Sequence, residues 1–301
     1  MTLQQLKYVV TVARTGSMSE ASKELFISQP GLTTSIRELE TEMGIKIFTR
    51  TNKGVVTSNE GERFLGYARQ VLEQASLLEG VYKSGTKIKQ QFCVSTQHYS
   101  FAVNAFVDLI RRFAGEEYDF SLRETETYEI IDDVAKMKSE IGILYLNSFN
   151  KDALMKIIKS KSLTFTELFT AKPHVFVSTD HPLADKKSVT MEELADYPYL
   201  SFEQGEHNSF YYSEEIFSTE ERLKNIRVTD RATLFNLLIG LNGYTVCSGV
   251  IDSSLNGENI VSIPLDKEGV MRVGILTHND IIQSEMAQYY ISSLSKYINV
   301  E

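Results

Sequence analysis

Only four residues, Ser28-Gln29-Pro30-Gly31, separate an apolar set that ends at Ile27 from one that begins at Leu32. A gap that short holds two helices across a tight turn and leaves no room for a strand between them. Upstream, Leu3, Leu6, Val9, Val10 and Ala13 recur at helical spacing, and Gly16 follows where a left-handed helix stop costs least. Ser17-Met18-Ser19-Glu20 has the capping-box pattern, with Ser17 as N-cap and Glu20 at N3. Ala21, Leu25 and Phe26 supply the inner face of the second helix. Ser28 caps the third, where Pro30 is tolerated because first-turn amides have no intrahelical acceptor. Leu32, Ile36, Leu39 and Met43 then form one inward stripe, and Gly44 closes it. Residues 45–57 read as two short strands around Asn52-Lys53-Gly54, a hairpin-turn composition.

Helix, tight turn, helix and small hairpin is the winged helix-turn-helix pattern, whose second helix sets its first residues in the DNA major groove. With the stripe facing inward, Gln29, Pro30, Thr33, Thr34 and Arg37 face outward. Gln addresses an adenine edge, and Thr offers a hydroxyl to base or phosphate and a methyl to thymine. Ser28 and the free amides beside it suit a phosphate oxygen. Arg50 and Lys53 on the hairpin are placed for backbone or minor groove. The same pattern also suits a three-helix unit for protein contacts, with these groups merely solvated. Charge leans toward DNA: residues 1–89 hold twelve Lys and Arg against nine Glu, a net +3, while the rest carries −12 of the total −9.

Thr57 or Ser58 opens a long helix in which Phe64, Ala68, Val71, Ala75, Leu78 and Tyr82 follow a 4-3-4-3-4 spacing. That is a heptad seam over nearly three heptads, suited to self-association or to packing on its own domain. Ser84-Gly85-Thr86 starts a linker. From residue 91 strands alternate with helices: FCVST, a helix about 101–114, DFSLRETE, a helix about 128–138, EIGILYL. A second set runs LTFTELFTA, KPHVFVST, a helix near 191–195, YPYLSF, a helix about 209–219, IRVTD, a helix about 231–241, GYTVCSG and IVSIPL. MRVGILTH and a helix at 281–298 close the chain. This alternation argues for an α/β body with largely parallel sheets, and the whole chain is an α+β multidomain protein.

Several classes are excluded or disfavoured. The sequence contains no GxSxG, P-loop, HExxH or GxGxxG motif, so no catalytic residues are assigned. The histidines at 98, 174, 181, 207 and 278 lack ligand spacing, so neither a metal nor another cofactor is expected. No run of eighteen apolar residues marks a membrane span, and the N-terminus lacks signal-peptide features, so no membrane partner and a cytoplasmic location are expected. Cys93 and Cys247 have no CxxC spacing and read as buried thiols of a reducing compartment. A cytoplasmic binding protein or enzyme using the α/β cleft is the alternative to a DNA-binding regulator.

The string TGSMSEASKELFISQPGLTTSIRELETEMGIKIFTR resembles the DNA-binding domain of LysR-type transcriptional regulators, a bacterial family. Ser28-Gln29-Pro30 opens the recognition helix of that pattern, Leu39-Glu40 and Gly44 close it, and Ile47-Phe48-x-Arg50 begins the wing. Two positions depart from it: Gly31 stands where Ala or Ser is usual, and Thr34 where a basic residue is frequent. The resemblance implies a winged helix-turn-helix over 1–57, a linker and dimerisation helix with hinge over 58–89, and an effector domain over 90–301. That domain is expected to be two-lobed, like a periplasmic binding protein. Lobe I takes about 90–162 and 267–301, and lobe II about 163–266. The implied partners are double-stranded DNA, a small-molecule effector, RNA polymerase, and a second copy or copies of the chain as homodimer or homotetramer.

Ligands of such sheets bind at the carboxyl ends of strands, beside helix N-termini. Those ends carry Ser95, Thr96, Gln97 and His98, then Glu126 and Tyr128, then Phe202, then Thr229 and Asp230, and last Tyr244. The family segment matching Ser95, Thr96 and Gln97 lines the effector site. His98 suits a ligand contact or a structural hydrogen bond, and Glu126 an ammonium or plain solvation. Amides on one lobe with carboxylates nearby suit an amino acid or a related metabolite. Cys93 and Cys247 fall in different lobes without a basic cluster, which disfavours redox sensing.

Overall fold

Hydrogen-bond caps punctuate the first eighty residues. The computed structural model describes residues 1–51, 54–82, 90–207, 209–251 and 258–298, and at 50 and 80–82 the backbone alone. The turn residues 52 and 53 and the linker residues Ser84-Gly85-Thr86 lie outside the described residues. The chain divides into two compact units, residues 1–89 with 135–138, and residues 90–134 with 139–301.

In the first unit, α1 (Leu3–Thr15), α2 (Met18–Glu24) and α3 (Gln29–Met43) precede a wing of antiparallel β1 (Phe48–Thr51) and β2 (Gly54–Thr57) and a long α4 (Asn59–Tyr82). Gly16 and Gly44 end α1 and α3 with φ of 65° and 68°, the left-handed conformation that carries no Cβ penalty. Ser28 caps α3 by accepting from Gly31 N at 3.2 Å, and Ser58, not Thr57, caps α4 by accepting from Gly61 N at 2.9 Å. The capping box expected at Ser17 is half made. Glu20 N donates to Ser17 Oγ, but the Glu20 carboxylate goes to Lys23 instead. A complete box stands at Thr2 and Gln5.

Val9, Val12, Leu32, Ile36, Leu39 and Leu65 close one core. Two expected members fall outside it. Phe26 is 94% exposed, because α2 has already ended at Glu24 and a φ of 53° turns the side chain outward. Met43 is exposed on the last turn of α3, where residues 41–44 all reach solvent. The wing is tied down by main-chain bonds: Val55 N donates to Gly16 O, and a Cβ on Gly54 would stand 2.7 Å from that same oxygen. The buried Glu40 carboxylate accepts from Ile47 N at 2.8 Å and Phe48 N at 3.1 Å, with Lys46 at 3.1 Å.

The second unit has two lobes. The first sheet has strand order β4-β3-β5-β12-β6, from β3 (Gln90–Thr96), β4 (Tyr118–Glu124), β5 (Ile141–Leu146), β6 (Leu163–Ala171) and β12 (Met271–His278). Helices α5 (Ser100–Phe113), α6 (Thr127–Ala135), α7 (Lys151–Ser160) and α9 (Glu285–Leu294) accompany it. In the second lobe β7 (His174–Ser178) lies between β10 (Thr245–Cys247) and β11 (Ile260–Pro264). There β8 (Tyr199–Phe202) pairs with β9 (Asn225–Val228), ahead of α8 (Arg231–Leu241).

The sheets are mixed rather than largely parallel. β3 runs parallel to β4 and β5, but β12 is antiparallel to both its neighbours. Leu163–Ala171, expected to open the second lobe, belongs to the first sheet because β12 supplies its ladder partners from Leu163 to Ala171. The chain therefore leaves the first sheet after Ala171, not near residue 162. Helix α7 is absent from the sequence reading: only Leu154 and Ile158 of its ten residues are buried, too few for a visible stripe. The helices expected near 191–195 and 209–219 are turns, with a single 3-10 turn at Phe210–Tyr212.

Glu40→Ala removes two charge-assisted hydrogen bonds and should destabilise the head by about 2–3 kcal/mol in denaturant unfolding. A loss under about 0.5 kcal/mol would show that the wing is held by other contacts.

Candidate functional site

The outward face of α3 is polar and open. Gln29, Pro30, Thr34 and Arg37 are exposed, while Thr33 is half-buried and donates its hydroxyl back to Gln29 O at 2.9 Å. Ser28 is exposed with its Oγ engaged as the cap. Lys53 and the Arg50 side chain lie outside the described residues. Along α4, Ala68 is buried and Phe64 packs on the head core, whereas Val71 and Leu78 are 42% and 61% exposed. Ala75 is half-buried, and the Tyr82 side chain is outside the described residues. The seam thus starts on the head core at Phe64 and is open at Val71 and Leu78.

Between the two lobes of the second unit lies a cavity of about 50 Å³. His98, Tyr99, Ser100 and Met271 line it from the first lobe, and Phe202, Glu214, Glu215, Arg231 and Phe235 stand among its second-lobe walls. The His98 ring stacks on Phe202 at 3.7 Å between centroids and 3° between planes. Glu214 reaches His98 Nδ1 at 2.9 Å and accepts from His98 N at 3.2 Å. Gln204 Nε2 donates to Glu214 at 3.2 Å, and Arg231 pairs with Glu124 at 3.1 Å. The segment around residue 210 makes further bridges: Gln204 accepts from Thr127 N, Tyr128 stacks on His207, and Tyr211 stacks on Phe149.

Residues 3–62 match the family model described as "Bacterial regulatory helix-turn-helix protein, lysR family", and residues 94–297 match "LysR substrate binding domain". The chain belongs to the LysR family. It is 26% identical over 302 residues to the Hca operon transcriptional activator HcaR of Escherichia coli, covering 95% of this chain and 99% of that one. It is 29% identical over 205 residues to the regulator YnfL of the same organism, where the match spans 67% of this chain and 65% of the relative. A full-length cysteine-to-aspartate variant of OxyR from Pseudomonas aeruginosa shares the fold, with a TM-score of 0.63 at 19% identity, over 98% of this chain and 94% of that one. In this LysR-type regulator no helix among the described residues is long and apolar enough to cross a membrane. Among the described residues no cluster of three or more His, Cys, Asp or Glu is arranged to hold a metal ion.

Of the ten expected effector-site residues of this LysR-type regulator, His98 and Phe202 line the cavity. The others lie outside its lining. Ser95 is fully buried and donates to Asp133 at 2.8 Å, because its side chain leaves β3 toward α6. Thr96 donates to Gln97 O. Gln97 spends its amide on Thr127 Oγ1, Tyr99 OH and Tyr145 N, tying three segments together at the strand ends. Glu126 lies against Gly205 and Tyr128 against His207 and Tyr212. Thr229 is exposed, Asp230 caps α8 through Thr233 N, and Tyr244 is buried against Tyr199. Glu214, Glu215 and Arg231 are not legible in the sequence: the acids lie in a stretch with the composition of an ordinary helix, and Arg231 simply follows the α8 cap Asp230.

The cavity perturbs Glu215 and His98. Burial, then the neighbouring Glu214, pushes the Glu215 carboxyl up to about 8, against the hydrogen bond from Phe202 N. Burial opposes charge on His98, but the Glu214 carboxylate, with Glu124 and Glu215 beyond it, carries its pKa above the ordinary imidazole value. Burial raises both cysteine thiols, which leaves them unreactive. Cys93 contacts Ser139 Oγ in the first lobe, and Cys247 lies on β10 in the second.

Both raised groups make stability fall as pH rises. The His98 contribution is full below 6.5 and is lost as pH climbs through its higher folded value, and Glu215 opposes folding progressively from 4.5 to about 8. Calorimetry should show the effector domain melting lower at pH 8 than at pH 5, with Glu215→Gln removing most of that fall. An equal fall in the variant would place the linkage elsewhere.

Proposed function

We propose that this LysR-type regulator reads double-stranded DNA through the open face of α3. Gln29, Thr33, Thr34 and Arg37 would address the groove, with Ser28 and Pro30 at the helix start, and Arg50 and Lys53 would hold the backbone from the wing. The carrying observation is that α3 leaves Gln29, Thr34 and Arg37 exposed while Leu32, Ile36 and Leu39 anchor its other side. Residues 1–57 act as the reader, 58–89 as the coupling helix and hinge, and 90–301 as the sensor. A small nitrogen-containing metabolite, an amino acid or a relative of one, binds between the lobes. It acts by its different affinity for two arrangements of a dimer or tetramer, which alters the spacing of the readers and the bend of the DNA. The regulator works in the cytoplasm and meets RNA polymerase at the promoter. No catalysis belongs to this reading.

Gln29→Ala should weaken binding to the DNA flanking its own gene by about 1–3 kcal/mol in a gel shift and relax its sequence preference. Unchanged preference removes Gln29 from the reader. Leu78→Glu should shift the oligomer toward monomer in sedimentation. It is a cleaner test than a charge at Ala68, which is already buried within one chain. An unchanged oligomer would confine the α4 seam to intramolecular packing.

A further inference from the structure

Just before α5, the main-chain N–H and the ring Nδ1 of His98 both reach one carboxylate, and it comes from the opposite lobe. Glu214 accepts from His98 N at 3.2 Å and meets Nδ1 at 2.9 and 3.1 Å, the two side chains being 6% and 4% exposed. Gln204 ties this contact to a second one. Its Nε2 donates to Glu214 at 3.2 Å, and its Oε1 accepts at 3.0 Å from the N–H of Thr127, the first residue of α6. Phe202 lies flat on the His98 ring, and the stacks of His207 on Tyr128 and Tyr211 on Phe149 add to the seam. Among the described residues no strand ladder joins the sheets of the two lobes, and the chain crosses from β6 to β7 and returns from β11 to β12. A seam held across by side chains can part without unfolding either lobe. The space it encloses is about 50 Å³, far below the roughly 300–1,000 Å³ of a site that surrounds a small metabolite. The protein's own groups have closed it.

We propose that Glu214 is a tethered internal occupant of the cleft, which latches the two lobes shut in the ligand-free regulator, and that an effector acts by displacing it and parting them. This rests on the reading of the cleft as the effector seat and fixes the direction of its response. A ligand too large for the closed space binds only the open arrangement, so it draws the population toward open lobes. One carboxylate can govern the seam because its removal takes the acceptor from His98 N and from Gln204 Nε2 together. Both donors regain a partner most simply by opening to water.

The test is hydrogen exchange, read by mass spectrometry on the full-length protein. Glu214→Ala should speed exchange at least about tenfold in peptides carrying His98 and Thr127, while β3 and β7 keep their wild-type rates. Should the alanine variant lose protection in β3 and β7 as well, Glu214→Gln takes its place with the same expectation, since it keeps the size of the side chain and removes its charge. Acetate should restore protection to an opened Glu214→Ala and acetamide should not, because the vacated place fits a carboxylate; the wild-type protein should respond to neither. Wild-type rates at His98 and Thr127 in the folded variant, or no rescue by acetate, overturn the latch. On the DNA flanking its own gene, the opened variant should leave a footprint different from that of the wild type. An unchanged footprint from a variant whose seam has opened would instead overturn the cleft as effector seat and leave the latch standing.

Discussion

A buried carboxylate that accepts from main-chain N–H groups of another element organises each unit of this protein. In the effector domain, Glu214 sits on the amide and ring of His98, 116 residues before it, and so bridges the two lobes. Such a bond is strong because donor and acceptor are both withdrawn from water and one carries charge. It also dictates its surroundings. His98 is drawn toward the charged form, Phe202 covers the ring, and Gln204 takes the carboxylate from a second side. Burying Glu215 next to this pair leaves a carboxyl that resists ionisation at its ordinary pH.

The head repeats the device on a smaller scale. Glu40 stands on α3 within the inward face and would be an unpaired buried charge, but the wing brings two amides and Lys46 to it. This lets a helix whose outer face is kept for recognition hold its hairpin without a large apolar contact. With so small a core, the unit leans on α4, which contributes Leu65 to the same cluster. The exposure of Val71 and Leu78 further along that helix follows, since the head is too short to cover them.

How much of this was legible depended on the range of the interaction. Caps and stops are local: Gly16, Ser28 and Gly44 act within four residues and were placed correctly by composition. Phe26 departs from the periodicity because its own left-handed backbone, invisible to spacing, turns its side chain outward. Helix α7 was missed because two buried residues do not make a stripe. Leu163–Ala171 was assigned to the wrong sheet because the sequence shows that a segment is a strand but not which ladder receives it. In the cleft, Ser95 and Gln97 have the residue types of a ligand site. Their donors are instead consumed by Asp133 and Thr127, and the Gln97 carbonyl by Tyr145 N, which only folding brings near.

The sequence by itself determined the helix-turn-helix with its outward polar face, the seam of the following helix and the alternating α/β body, because these follow from spacing within a few turns of chain. The tertiary structure decided which polar groups remain for a ligand. That question turns on competition among hydrogen-bond partners, and a donor is free for an effector only where no folded neighbour has reached it first. The seating of Glu214 on His98, and of Glu215 on Phe202 N, came from how the folded chain brings these segments together.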